Sequence, residues 1–117
     1  MKTDADHFLP LAPATLHILL SLAGEPLHGY GIMQEVLQKS GGRYNLGPGT
    51  LYDNLQRLMK QRVVEEAARP REEGNSRRRY YRLSSLGREV LTQEIGRLED
   101  VVHEGRIRLR SLEPGRA

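Results

Sequence analysis

The sequence predicts a mainly α fold carrying one small β-hairpin. Three observations predict it. Apolar residues recur at helical spacing in three segments of the first half. A period-two segment, Tyr80-Tyr81-Arg82-Leu83, follows a turn-rich stretch. A long apolar series at alternating steps of four and three then closes the chain.

Residues 1–12 form a short arm, with Phe8, Leu9 and Leu11 apolar around Pro10. It is either loose or packed on the domain. Pro13 suits the first turn of a helix, where its missing N–H has no intrahelical partner anyway. Leu16, Leu19, Leu20 and Ala23 supply that helix's apolar stripe, and Gly24 with Pro26 stops it. A second helix runs from about Gly29 to Ser40. It turns Ile32, Met33, Val36 and Leu37 inward and ends at Gly41-Gly42. Leu46-Gly47-Pro48-Gly49-Thr50 turns into a third helix, which reaches about Gln61. Leu51, Leu55, Leu58 and Met59 make its core side. Thr50, Asp53, Asn54, Arg57, Lys60 and Gln61 share a polar face, because offsets of three, four and seven fall on one side of a helix.

Val63-Val64 with Ala67-Ala68 begins a hairpin. Tyr81 and Leu83, alternating with Tyr80 and Arg82, make its half-buried return strand. Gly74-Asn75 supplies turn chemistry at the tip. Two strands alone are unstable, so the hairpin must lean on the helices. Ser84 is the N-cap of the last helix. Its seam reads Leu91, Ile95, Leu98, Val102, Gly105, Leu109, Leu112, a coiled-coil pattern with one glycine defect. Gly96 and Gly105 each cost ~1 kcal/mol relative to Ala. Packing must therefore supply this helix's stability. The helix either folds back on its own domain or pairs with a second copy. The narrow stripe favours pairing, through Leu91, Ile95, Leu98, Val102 and Leu109.

Three helices, a basic hairpin and a long helix make a winged helix-turn-helix with a C-terminal dimerisation helix. The divisions are an arm at 1–12, the winged domain at 13–83 and the dimerisation helix and tail at 84–117. In this arrangement the second of the paired helices enters the major groove, and the wing reaches the flanking backbone or minor groove.

Composition narrows the function. The 117 residues suit one domain. The chain has no Cys, which excludes disulfide frameworks, zinc ribbons and thiol chemistry and fits a cytoplasmic protein. No apolar stretch approaches the ~18 residues of a membrane span. Asp4 and Asp6 argue against a secretory signal. No paired carboxylates, Ser/His/Asp set or Gly-rich phosphate loop stands out, so an enzyme is not expected. His7, His17 and His103 lack ligand spacing, and neither a metal nor a cofactor is expected.

Charge is distributed unevenly. Basic and acidic side chains number two and four in residues 1–42, eleven and five in 43–88, and five and six in 89–117. The local nets are −2, +6 and −1 around an overall +3. Fifteen of the eighteen basic residues are Arg, whose planar donor fork matches phosphates and guanine edges. A basic middle between acidic flanks is either a phosphate-facing surface or a solvated charged face.

Three segments carry a closer likeness. They are Pro26-Leu27-His28-Gly29-Tyr30-Gly31-Ile32, then Gly49-Thr50-Leu51-Tyr52 with Leu55 and Arg57-Leu58, then Arg78-Arg79-Tyr80-Tyr81-Arg82-Leu83-Ser84 with Gly87-Arg88. In order and spacing, over residues 16–91, they resemble the PadR family of transcriptional regulators. The resemblance implies a homodimeric, sequence-specific DNA-binding regulator of the short-tailed branch, a repressor released by a small-molecule effector. Its double-stranded DNA partner would carry an inverted-repeat operator. Some short-tailed relatives hold flat aromatic drugs between tail tryptophans. This chain has no Trp, so that mode does not transfer. The chain also departs from the family at Arg62, where the family has Gly before the first wing strand, and at Ser84, where it has Thr. Glu72-Glu73 place negative charge near the wing tip.

The expected DNA contacts are Thr50, Tyr52, Asn54, Arg57, Lys60, Arg77, Arg78 and Arg79. The hydroxyls of Thr50 and Tyr52 suit phosphates, and the alternative for both is capping and packing. Asn54 suits an adenine edge and Arg57 a guanine edge. Asp53 would repel phosphate yet could accept from a cytosine amino group. The three consecutive Arg are electrostatic wing contacts, or partners of Glu65 and Glu66 across the hairpin. His28 is structural and fixes the turn into the second helix. The alternative function is a winged-helix interaction module that sets its arginines on an acidic protein partner.

Overall fold

In a computed structural model, residues 4–69 and 78–112 are described. A short 3-10 helix, Asp4–Phe8, precedes α1 (Pro13–Leu22), β1 (Leu27–His28), α2 (Gly29–Lys39), α3 (Pro48–Lys60), β2 (Val64–Ala67), β3 (Tyr80–Leu83) and α4 (Ser85–Ser111). The Gly74-Asn75 tip, Glu72-Glu73 and Arg77 lie outside the described residues.

Pro13 and Pro48 occupy the first turns of α1 and α3, where a proline loses no hydrogen bond. Gly41 and Gly42 end α2 in the left-handed region, at φ of +66° and +79°. The Gly42 N–H closes the helix on the Leu37 carbonyl at 2.8 Å. The core joins Ile18, Leu19 and Leu22 of α1, Ile32 and Val36 of α2, and Leu51, Leu55 and Leu58 of α3. Val63, Val64, Tyr81, Leu83, Val90 and Leu91 complete it from the wing side. Each buried Leu, Ile or Val contributes ~1.5–3 kcal/mol relative to exposure.

Five expectations need correction, the first being Leu37 of α2, which is expected to turn inward but is 42% exposed. The buried residues of α1 are Thr15, Ile18, Leu19, Ser21 and Leu22, while Leu20 is 42% exposed and Ala23 is exposed. The sheet has three strands in the order β1-β3-β2, not two. Leu27 pairs with Tyr81 and His28 with Tyr80, both antiparallel. Tyr80 is consequently buried on the face expected to be open, its ring edge-on to His28 at 5.2 Å. Finally, Leu91 is buried in its own domain's core, because α4 starts packed between β3 and α1. The exposed part of the expected stripe therefore begins at Ile95.

Ser84 caps α4 by accepting the Gly87 N–H at 3.0 Å. The same hydroxyl donates toward the Arg62 and Val63 carbonyls at 2.5 and 3.0 Å. A Cβ on Gly87 would stand 2.1 Å from the Val63 carbonyl oxygen, so only glycine lets the helix approach the turn before β2. In that turn Arg62 adopts φ +63°, the left-handed geometry usually left to glycine. The arm is ordered against α4. Ala5 is fully buried, and the Leu11 N–H donates to Glu94 Oε2 at 2.8 Å.

Beyond Glu94, α4 leaves the domain and gives the molecule extents of 66 × 36 × 24 Å. Ile95, Val101, Val102, Ile107, Leu109 and Leu112 are all exposed on it. Among the described residues no helix is long and apolar enough to cross a membrane.

Candidate nucleic-acid interface

Helix α3 presents Thr50, Tyr52, Asp53, Gln56, Arg57 and Lys60 to solvent, with Leu51, Leu55 and Leu58 beneath. Its second half carries Arg57 and Lys60 with no acidic side chain beside them in the last turn. Cations there also complement the helix dipole.

Asn54 does not belong to this exposed set. It is 7% exposed and points inward. Its Oδ1 accepts from Thr15 Oγ1 at 2.7 Å and from Arg57 Nη2 at 2.7 Å, while its Nδ2 donates to the Thr50 carbonyl at 2.9 Å. With both ends of the amide engaged below the surface, Asn54 cannot form a bidentate contact with an adenine edge. The expectation of base readout by Asn54 is corrected to a positioning role. The same guanidinium nitrogen of Arg57 lies 3.3 Å from Thr15 Oγ1. Arg57 is thus held at its inner edge and exposed at its outer one.

Tyr52 leaves the first turn of α3 and lies across the start of α2. A Cβ on Gly29 would be 2.2 Å from the Tyr52 hydroxyl oxygen, so this crossing requires glycine at 29. The side chain stays 49% exposed. His28 caps α2 as expected, its Nδ1 accepting the Gly31 N–H at 2.9 Å. The other ring nitrogen, Nε2, stands 2.9 Å from Arg78 Nη1.

The wing meets α2 and α3 here. His28, Tyr30, Tyr52, Arg78, Arg79 and Tyr81 enclose an open hollow of about 340 Å³ above Gly29. Arg79 also lines a neighbouring groove with Lys60 and Gln56 of α3. Of the expected contacts, Tyr52, Arg78 and Arg79 come together around the hollow, and Thr50, Arg57 and Lys60 lie along α3. Arg79 faces Glu66 at 3.6 Å and Arg82 faces Glu65 at 3.2 Å. Both pairs are largely exposed and contribute ~0–1 kcal/mol, so the Glu66 contact holds Arg79 only weakly.

Tyr81 and Thr15 were not among the expected site residues. Tyr81 reads from the sequence as a core strand position. Thr15 is one of three polar residues in α1, with His17 and Ser21, and nothing in the pattern singles it out.

Comparison with known proteins agrees with this architecture. Residues 18–93 match the transcriptional regulator PadR-like family. An uncharacterized 37.1 kDa transposon protein of Streptomyces fradiae is 44% identical over 81 residues, 69% of this chain; the chain spans about a fifth of that protein, 21%. Transcriptional regulator Rv3488 of Mycobacterium tuberculosis is 37% identical over 100 residues, covering 80% of this chain and 82% of that one. The fold superposes on Bacillus subtilis PadR in complex with operator DNA with a TM-score of 0.62, at 20% identity over 74% of this chain and 48% of that one. The chain therefore belongs to the PadR-like family of transcriptional regulators, a family of DNA-binding regulators and not of enzymes.

Proposed function

We propose that this chain is a homodimeric, sequence-specific repressor that sets α3 in the major groove and its wing on the flanking backbone. The observation that carries the reading is the continuity of donors from Thr50, Arg57 and Lys60 on α3 to Tyr52, Arg78 and Arg79 at the wing. Thr50 and Tyr52 hold phosphates, Arg57 reads a base edge, and Lys60, Arg78 and Arg79 act mainly through charge. Arg77 is assigned to the same charge by its place in the sequence. A second copy docks along Ile95, Leu98, Val102 and Leu109, the stripe that the domain leaves uncovered. Pairing related by a two-fold axis calls for an inverted-repeat operator. Release by a small-molecule effector rests on the family likeness alone.

The test is selection of bound duplexes from a random pool, followed by gel-shift at several salt concentrations. Symmetric sites with salt-sensitive, site-selective retardation are expected. No retardation at moderate salt would overturn the DNA reading and leave the arginine face to an acidic protein.

A further inference from the structure

Helix α3 buries Leu51, Asn54, Leu55 and Leu58. At about 100° per residue, Gly49, Asp53, Gln56 and Lys60 fall within about 30° of the direction opposite that set. They form the ridge of the helix that stands furthest from the core. Thr50 and Arg57 lie about 70–90° to one side of the ridge, and Tyr52 lies about 70° to the other. Both flanks are tied to neighbouring helices. Arg57 Nη2 is 2.7 Å from Asn54 Oδ1 and 3.3 Å from Thr15 Oγ1, which draws the guanidinium toward α1. Tyr52 lies over Gly29 at the start of α2. A groove that receives α3 therefore meets Thr50, Arg57 and Tyr52 at its walls and the ridge at its floor.

The four ridge positions differ in what they can say to a base. Gly49 has no side chain. Lys60 only donates, through a point charge on a flexible stem. Asp53 only accepts, so it admits an edge that offers an amino hydrogen, from cytosine or adenine. Gln56 alone carries a donor and an acceptor on one planar amide. That pair matches adenine, whose major-groove edge sets the N7 acceptor beside the N6 amino donor. Gln56 is exposed, and with Tyr52, Lys60 and Arg79 it lines the groove of about 420 Å³ between α3 and the wing. Phosphate contacts by Tyr52 and Arg79 on that side would fix the strand against which Gln56 reads.

We infer that Gln56 is a specificity-determining residue of this chain, which sets its side-chain amide on the major-groove edge of an adenine. This rests on the DNA-binding reading above and adds to it a base contact on the central ridge. Arg57 keeps its own base edge from the flank.

The test uses the full-length protein and begins with random-pool selection. The native chain should return a site with a fixed adenine in each half-site. Recovery of no site at all ends the DNA reading and the assignment together, and a site without a fixed adenine ends the assignment alone. Gln56 lies outside the core, so Gln56→Ala should melt like the native protein. Selection with Gln56→Ala should leave the adenine position open to all four bases while the other positions persist. Its affinity for the native site should fall about tenfold. The salt slope should stay unchanged, because a neutral amide releases no counterion. Gln56→Glu keeps the acceptor and loses the donor, and should move the preference at that position from adenine to cytosine. Replacing that adenine by 7-deazaadenine removes the N7 acceptor, and should weaken the native protein about tenfold and Gln56→Ala hardly at all. Recovery of the unchanged site by Gln56→Ala, or an equal loss on matched and mismatched duplexes, overturns the assignment while leaving DNA binding intact.

Discussion

The Thr15 hydroxyl of α1 donates to Asn54 Oδ1 of α3 at 2.7 Å, inside the protein. The same oxygen takes a second hydrogen bond from Arg57 Nη2 at 2.7 Å. A buried pair thus sets the angle between two helices and also the resting place of a surface arginine. Asn54→Ala should destabilise the fold by ~1–3 kcal/mol, since it leaves the Thr15 hydroxyl buried without its acceptor. Thr15→Val retains shape and should cost ~1 kcal/mol. Both should lower the discrimination between selected and mismatched duplexes by loosening Arg57. Chemical denaturation and competition gel-shifts check the two halves. An Asn54→Ala protein as stable as the native one would remove the positioning role.

Arg62 holds φ +63° ahead of β2, a conformation that costs an L residue roughly 1 kcal/mol. The resemblance placed glycine there, and Arg62 takes the left-handed geometry that favours glycine. Arg62→Gly should therefore raise stability by up to ~1 kcal/mol, offset in part by the unfolded-state entropy of glycine. A urea midpoint that falls in Arg62→Gly would show that the arginine stem contributes more than its backbone costs.

Glu94 is fully buried at the root of α4. Hydrogen bonds from Arg97, at 2.5 and 3.0 Å, are the largest influence on its carboxyl. Burial opposes them and the Leu11 N–H assists them, and the pKa comes out below the ordinary value. A depressed carboxylate contributes stability above the ordinary carboxylate range and loses it as pH falls through the lowered folded value. The Leu11 amide resonance should accordingly shift in acid as the arm detaches. Glu94→Gln should detach the arm already near neutral pH and remove that titration. A Leu11 resonance that is pH-independent in the native protein counts against the clamp.

Leu98→Asp with Val102→Asp should convert a dimer into a monomer by light scattering while leaving the domain's melting largely in place, because neither residue is in the core. Persistence of the dimer would move the interface off this stripe. Arg78→Ala with Arg79→Ala should flatten the salt dependence of DNA binding by at most about two units.

Much of this was legible beforehand. The prolines at 13 and 48, the glycines at 41 and 42 and the Ser84 cap bound their helices locally, through backbone chemistry that no tertiary contact overrides. The phase of α1 was not legible, since nearly every residue from Leu16 to Leu22 is apolar and periodicity cannot choose a face. Asn54 misled for the opposite reason. It keeps helical register with exposed Thr50 and Arg57 and equally with buried Leu51 and Leu58, and only the partner at Thr15 decides between them. Strand β1 is two residues long, too short to leave a period, so the covering of Tyr80 could not be seen.

Helix α4 is fastened only near its start, by Val90, Leu91 and Glu94, and runs about 25 Å further to Ser111 at ~1.5 Å per residue. Mechanically it is a lever, and the Leu11–Glu94 hydrogen bond sits at its fulcrum. A tilt of about 5° at the root carries the far end about 2 Å. If two such levers join along their stripes, as proposed, the tilt would be passed to the distance between the two copies of α3. In the proposed dimer, the arm around Ala5 and Leu11 would then set the spacing between the two copies of α3 from a distance.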